Sequence, residues 1–160
     1  MELVIYGRPS SPDYPGHVAL GQEGGAPFYA GYRFDPADLP PGVAGPAAIR
    51  AHLFTHAVPG NVEDETRFVR DLRAESTWLE KRSVCAADLR AALPPPDSWD
   101  GFALYSFNPD TFDTPAARCF NCVTWAVEVA GALLPGFLTP VRQGRMKLII
   151  QQLTRAGASS

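Results

Sequence analysis

One stretch of this 160-residue chain limits the fold more than any other: "RCFNCVTWAVEVAGALLPG", residues 118–136. Cys122, Trp125, Ala126, Val129, Ala130 and Leu133 recur at the i, i+3, i+4 spacing that gathers them on one helical face, so this segment has to be buried against something apolar. Asn121 precedes it and is a good N-cap, which puts Cys122 in the first turn. There the unpaired amides and the positive end of the helix dipole favour an anion and offer donors to an oxyanion. Taken alone, Cys122 reads most simply as a small core hydrophobe, the usual fate of a free cysteine.

The partner of that helix has to come from strands elsewhere in the chain. "LVIY" (3–6), "HVALGQ" (17–22) and "PFYAGYRF" (27–34) have strand character, and the turn-forming "EGGA" between the last two predicts a hairpin. In "HVALGQ" the alternation places His17, Ala19 and Gly21 on one face, a small face able to accept a closely packed helix, with Val18 and Leu20 on the other. Residues 35–48 are rich in proline and glycine and are expected to be irregular. "NVEDETRFVRDLRAESTWLEKR" (61–82) opens with acids and spaces Phe68, Leu72 and Leu79 as one helical face, so a helix is predicted there. A second, short helix is expected at "VCAADLRAAL", capped by Ser83 and ended by Pro94, Pro95 and Pro96. "GFALYSF" (101–107) reads as a strand, "NPDTFDTPAAR" as a loop, and 145–153 as either strand or helix. The whole is an α+β pattern in one domain, residues 1–160, with 61–93 as a helical insert and 156–160 as a tail; the length suffices for a single core.

Charge and cysteine content narrow the function. The formal net charge is −3 with acids and bases scattered, so there is no basic stripe of the kind nucleic-acid binding requires. No apolar run approaches the roughly 20 residues of a membrane span, and Glu2 stands where a secretory signal would carry a cation. A cytoplasmic protein is expected, or one delivered by a specialised secretion route without a cleaved signal. Three cysteines, Cys85, Cys119 and Cys122, cannot all pair within one chain, so reduced thiols are the default.

A nucleophilic cysteine needs an imidazole in hydrogen-bond reach. His17, directly after Gly16 at a strand start, is the candidate. With "EGGA" as the turn, residue 17 falls opposite residue 32, which makes the Tyr32 hydroxyl the group to orient the ring. Asp35, just past the strand end, is the rival orienter. Tyr6, at the end of the first strand, is a candidate oxyanion donor, although a core tyrosine is the commoner fate.

Gly16-His17 in "GHVALGQ…PFYAGYRFDP", followed far downstream by Asn121-Cys122 in "NCVTWA", resembles the permuted branch of the papain-like superfamily, where the histidine strand precedes the cysteine helix. That branch includes NlpC-like hydrolases, PPPDE isopeptidases and lecithin:retinol acyltransferase-like enzymes. The resemblance implies a papain-like α+β domain, a small antiparallel sheet packed on the helix that carries Cys122. It further implies a Cys122 nucleophile, His17 as general acid and base, and an oxyanion hole at the helix start beside Asn121. The reaction it implies is hydrolysis of an amide bond in a peptide, an isopeptide or a peptidoglycan stem, without cofactor or metal and with a protein or peptide as substrate; a further protein partner is compatible with it. Acyl transfer from a lipid is the alternative within the same chemistry, and a non-catalytic interaction domain the alternative outside it.

Competing motifs are weaker. His52 and His56 in "HLFTH", with Cys119 and Cys122 in "CFNC", have the spacings of a tetrahedral zinc site, but about 60 residues separate the pairs and His residues four apart commonly share a solvated helix face. Cys119 could instead form a redox-linked pair with Cys122. Glu63, Asp64 and Glu65 read as acids complementing a helix N-terminus. Ser10 and Ser11 have no acid–base set around them.

Overall fold

A computed structural model describes residues 1–8, 16–68, 70, 71, 74, 78–84, 87–94 and 103–137, with the backbone alone for 78–84. Cys85, Ser10, Ser11, the segment 145–153 and the tail 156–160 lie outside the described residues. Seven strands form one sheet: β1 (Glu2–Arg8), β2 (His17–Glu23), β3 (Phe28–Phe34), β4 (Val58–Asp64), β5 (Trp78–Val84), β6 (Ala103–Tyr105) and β7 (Cys119–Phe120), in the order β5-β1-β2-β3-β4-β6-β7. All neighbours run antiparallel except β6 and β7, which pair in parallel. Four α-helices have described bounds, α1 (Pro46–Thr55), α2 (Leu89–Ala92), α3 (Pro109–Phe112) and α4 (Cys122–Leu133), and residues 70, 71 and 74 are helical as well. The molecule is therefore α+β, with a sheet larger than expected and mixed in direction.

The centre of the sheet is buried on both faces, which explains why β1 and β2 read as near-continuous apolar runs. On one face Leu3, Ile5, Val18, Leu20, Ala30 and Tyr32 join Cys122, Trp125, Ala126 and Ala130 of α4 in the main core. Each large apolar side chain removed from water there contributes about 1.5–3 kcal/mol. The Tyr32 ring stacks on Trp125, centroids 6.2 Å apart at 14°. On the other face Val4, Tyr6 and Tyr29 form a second, smaller cluster. The helix thus packs on the Val18/Leu20 face and not on the small Ala19/Gly21 face, because Gly21 is already covered by the rings of Tyr29 and Tyr6.

The largest correction concerns residues 61–82. Residues 61–64 belong to β4 and 78–82 to β5; between them Thr66–Phe68 form a 3-10 turn and residues 70, 71 and 74 are helical, so the expected helix is confined to the middle of the stretch. Val58, Gly60 and Val62 are buried in alternation, the period-two signal of a strand at the start of the stretch. β5 pairs with β1 as an edge strand, so the segment expected as a helical insert over 61–93 carries the end of β4 and all of β5 besides the helical residues 70, 71, 74 and 89–92. Val84 likewise ends β5, and the following helix α2 is capped by Asp88, whose carboxylate accepts from the Arg90 and Ala91 amides, rather than by Ser83. The region 35–48 carries a 3-10 turn at Pro36–Asp38 and the first turn of α1, in which Pro46 sits at the helix start where a missing N–H is harmless. α3 lies inside the stretch read as a loop. Leu53 of α1 is fully buried, and its carbonyl accepts from the Phe107 amide and the Ser106 hydroxyl; this ties α1 to the segment after β6.

Candidate active site

The start of α4 is built by Asn121. Its side-chain oxygen accepts from the Thr124 amide at 2.9 Å while the Thr124 hydroxyl accepts from the Asn121 amide at 2.9 Å, a reciprocal capping box. Such a cap is worth about 1 kcal/mol and fixes Cys122 at the first helical position. Asn121 acts through its carboxamide oxygen as a cap.

His17 opens β2 opposite Arg8 of β1. Between β2 and β3 the ladder runs from Gln22↔Phe28 to Ala19↔Gly31 and stops there, although both strands continue. In the gap beyond Ala19 and Gly31 lies a cavity of about 340 Å³, lined by Arg8, His17 and Arg33 on one side and by Tyr32, Phe34 and Tyr105 on the other. The Cys122 thiol is among the neighbours that raise the pKa of His17, so the head of the core helix comes near the imidazole at the opened ladder.

The other side of the ring belongs to Glu65. His17 Nε2 lies 2.9 Å and 3.1 Å from its two carboxylate oxygens, and Arg33 Nε donates to Oε1 at 2.5 Å. Glu65 follows β4, tethered by its amide to the Tyr29 carbonyl at 2.8 Å, and its side chain lies across Gly31. A Cβ on Gly31 would run into the carboxylate and stand 2.8 Å from His17 Nε2; the position is glycine because the pair occupies that space.

The electrostatics follow from burial and pairing. His17 is 6% and Glu65 1% exposed, and burial disfavours either charge alone. For His17 that burial is outweighed by the Glu65 charge and by hydrogen bonds with Cys122 and Glu65, and its pKa is raised to about 9. For Glu65 burial is outweighed by the charge and hydrogen bond of His17 and then of Arg33, and its pKa is lowered to about 2. Both shifts describe one buried imidazolium–carboxylate pair at neutral pH. Cys119 differs: burial and the nearby Asp113 push its thiol up to about 11.

Of the residues singled out in the sequence, Cys122 is among the groups that act on His17 and the anticipated orienters are not. The observed pairing sets Tyr32 one place off the anticipated register, beside Val18 rather than His17, and a one-residue slip moves a side chain to the opposite face. Tyr32 lines the cavity, but its hydroxyl donates to the Leu104 carbonyl at 3.0 Å. Asp35 caps the 3-10 turn, accepting from the Ala37 amide at 2.9 Å. The Tyr6 hydroxyl donates to Glu23 at the far end of β2, away from Cys122. The zinc alternative finds no support, since no three His, Cys, Asp or Glu side chains converge on a metal position among the described residues; His52 and His56 stack on each other on α1, 4.3 Å apart. Arg33 and Tyr105 carry no signal in the sequence, and Glu65 reads there as one of three acids at a helix start. The signal for Glu65 was the run of small residues Ala19, Gly21 and Gly31, which leaves room above the sheet for a side chain arriving from a neighbouring strand. No helix among the described residues is long and apolar enough to cross a membrane. No protein-family model matches the chain, and no curated protein or solved structure matches it.

Proposed function

We propose that the protein is a cysteine hydrolase of the permuted papain-like kind, acting on an amide bond of a peptide, an isopeptide or a peptidoglycan stem. The observation that carries this reading is the imidazole of His17 held by the buried carboxylate of Glu65, with Cys122, at the first turn of a capped core helix, among the groups that act on it. With Nε2 taken by the carboxylate, Nδ1 is the nitrogen that serves the thiol. With His17 already protonated beside Glu65, Cys122 gives its proton to solvent, and the resulting thiolate attacks the carbonyl carbon. The imidazolium then protonates the leaving nitrogen as the C–N bond breaks, which leaves a thioester on Cys122 and a free amine. Neutral His17 next takes a proton from water, the hydroxide attacks the thioester, and the sulfur departs to restore the resting pair with release of a carboxylic acid. Glu65 stabilises the imidazolium through both half-reactions and fixes the ring, the part assigned above to Tyr32. Arg33 holds Glu65 in its ionised form.

A second reading is favoured by one observation: Cys122 is 1% exposed, and among the described residues that line the cavity are His17 and Tyr105 but not Cys122. On that reading the domain binds a ligand in the cavity and the charge network is structural. Site-resolved alkylation of the cysteines in the wild type and in His17→Ala separates the two. The hydrolase reading expects Cys122 to label far faster than Cys119 near pH 6 and to slow about a hundredfold without His17, the lower end of what a positioned acid–base group contributes. Equal labelling of the two thiols, or indifference to His17, leaves only the binding module.

A further inference from the structure

Arg33 holds the buried carboxylate with one nitrogen only. Its Nε donates to Glu65 Oε1 at 2.5 Å and lies 3.9 Å from the carboxylate of Glu63, and its two terminal amino groups make no hydrogen bond among the described residues. The side chain is partly exposed and lines the cavity beside His17. A guanidinium anchored through Nε presents the other two nitrogens as a planar pair of donors, the geometry that matches a carboxylate bidentately. Because Arg33 Nε and His17 Nε2 hold the same oxygen of Glu65, a group bound on those donors lies close to the imidazole.

The facing wall of the cavity is aromatic, built from Tyr32, Phe34, Tyr105 and Phe107. The Tyr105 ring packs on those of Tyr32, Phe34 and Phe107 with centroids 5.8, 5.2 and 5.9 Å apart, so the wall is held rigid by its own contacts. The Tyr32 hydroxyl is taken by the Leu104 carbonyl. At about 340 Å³ the cavity stands at the small end of the roughly 300–1,000 Å³ range of small-molecule sites. One cationic fork facing one apolar wall suits a ligand with a single anionic group joined to an apolar one.

We propose that the cavity recognises a carboxylate joined to an apolar group, with the terminal amino groups of Arg33 as the donors that hold the carboxylate and the aromatic wall as the surface that covers the rest. The surrounding acids decide against a more highly charged anion. Glu65 is matched by the imidazolium of His17, which leaves the guanidinium charge for one anionic group, whereas the second charge of a phosphate would meet Glu63 on the same lining. Two sources share this chemistry, a small free acid and the C-terminal carboxylate of a peptide that ends in an apolar residue. For the peptide the inference deepens the hydrolase reading and rests on it: a terminal carboxylate on Arg33 sets the last peptide bond of the chain before His17.

The test is a set of NMR titrations with 3-phenylpropionate and its neutral amide, with acetyl-alanyl-phenylalanine and its C-terminal amide, and with inorganic phosphate as competitor. In the wild type each acid is expected to bind about tenfold or more tightly than its amide, the worth of a charge-assisted hydrogen bond, and phosphate at equal concentration is expected not to displace it. Arg33→Met is expected to abolish the preference for the acid. Arg33→Lys keeps a cation beside Glu65 without the planar pair of donors and is expected to retain only part of it. The affinity of the amides, expected to be the same in all three proteins, reports an intact cavity. Equal binding of acid and amide in the wild type, a preference that survives in Arg33→Met or is complete in Arg33→Lys, or displacement by phosphate overturns the proposal. Tighter binding of the peptide acid identifies the peptide as the source, and tighter binding of 3-phenylpropionate overturns the assignment to the last peptide bond. The hydrolase reading fails separately, through alkylation of Cys122 that ignores His17→Ala, a reaction that none of these titrations involves.

Discussion

The two ends of β2 each carry a carboxylate with two polar partners, and they are built for different things. At one end Glu23, half-buried, receives the hydroxyls of Tyr6 at 2.5 Å and Tyr29 at 2.6 Å. At the other Glu65, 1% exposed, receives the imidazole of His17 and the guanidinium of Arg33. Neutral donors at the first end tie strands together and leave no mobile proton. Ionisable donors at the second create a charge pair inside the protein, which is stable only because both members are present. The β2–β3 ladder is closed at the Glu23 end and open at the His17 end. A sheet can hold a carboxylate anywhere along a strand, and it becomes chemically useful where the ladder parts and a second titratable group can approach.

Removing each carboxylate is the harshest way to break the comparison. Glu65→Ala leaves His17 and Arg33 buried without their anion and is expected to lower unfolding free energy by about 3–5 kcal/mol, and to slow alkylation of Cys122 near pH 6 to the level of His17→Ala. Glu23→Gln keeps an acceptor for the two tyrosines and is expected to lose about 1 kcal/mol or less, with Cys122 reactivity untouched. Denaturant melts of both variants check the first difference and alkylation the second. Equal losses of stability would mean that the His17 end is no more than a structural clasp.

Two glycines sharpen the contrast at smaller amplitude. Gly31→Ala drives a methyl group into Glu65 and His17, and Gly21→Ala drives one to 2.6 Å from the ring of Tyr29. Both overpack and are expected to cost about 1–3 kcal/mol. Only Gly31→Ala is expected to separate His17 from Glu65 and so suppress the fast labelling of Cys122. If Gly21→Ala suppresses it equally, the two ends of the strand are coupled and the distinction drawn above does not hold.

How much of this was legible in the sequence depended on the range of the interaction. The hairpin of β2 and β3, the helix α4 and its Asn121 cap rest on local periodicity and on chemistry that few residue types perform. The orienting group did not follow, because it depends on register: one place in the hairpin moved Tyr32 into the core and brought Arg33 to the His17 side. Glu65 was hidden for a related reason. In "EDE" three acids look alike, and only the pairing of Ala30 with Asp64 shows that the third emerges over Gly31. The same run read as a helix start, because acids at an N-terminus and acids at the end of a strand are compositionally identical.

The acid–base behaviour of the pair offers a gentler test. His17 is protonated in the folded state up to about pH 9 and, once unfolded, only to about 6.5, so its contribution is complete below pH 6.5 and fades as pH rises toward 9. Glu65 stays ionised down to about pH 2 against about 4.5 unfolded, so its contribution is complete above pH 4.5 and fades as pH falls toward 2. Stability from the pair is therefore greatest between about pH 4.5 and 6.5. The slope of unfolding free energy between pH 6.5 and 9 is expected to flatten in His17→Gln; an equally steep slope in that variant would place the titrating group elsewhere.

The smallest effect belongs to Arg33, whose side chain is 39% exposed. Solvent screening limits the stability lost in Arg33→Met to about 1 kcal/mol or less, so its role is better read from the titration of His17. Two influences compete there. Arg33 repels the imidazolium directly, which lowers the pKa of His17, and it also keeps Glu65 ionised, which raises it. Glu65 sits so far below its ordinary pKa, with the charge of His17 ahead of that of Arg33 among the causes, that it stays ionised near neutrality without the guanidinium. The direct repulsion is then the influence lost, and the His17 resonances of Arg33→Met in an NMR titration are expected to report a pKa higher than in the wild type. A lower pKa would reverse the hierarchy, making Arg33 rather than His17 the group that holds Glu65 charged and extending the working network by one residue toward the solvent.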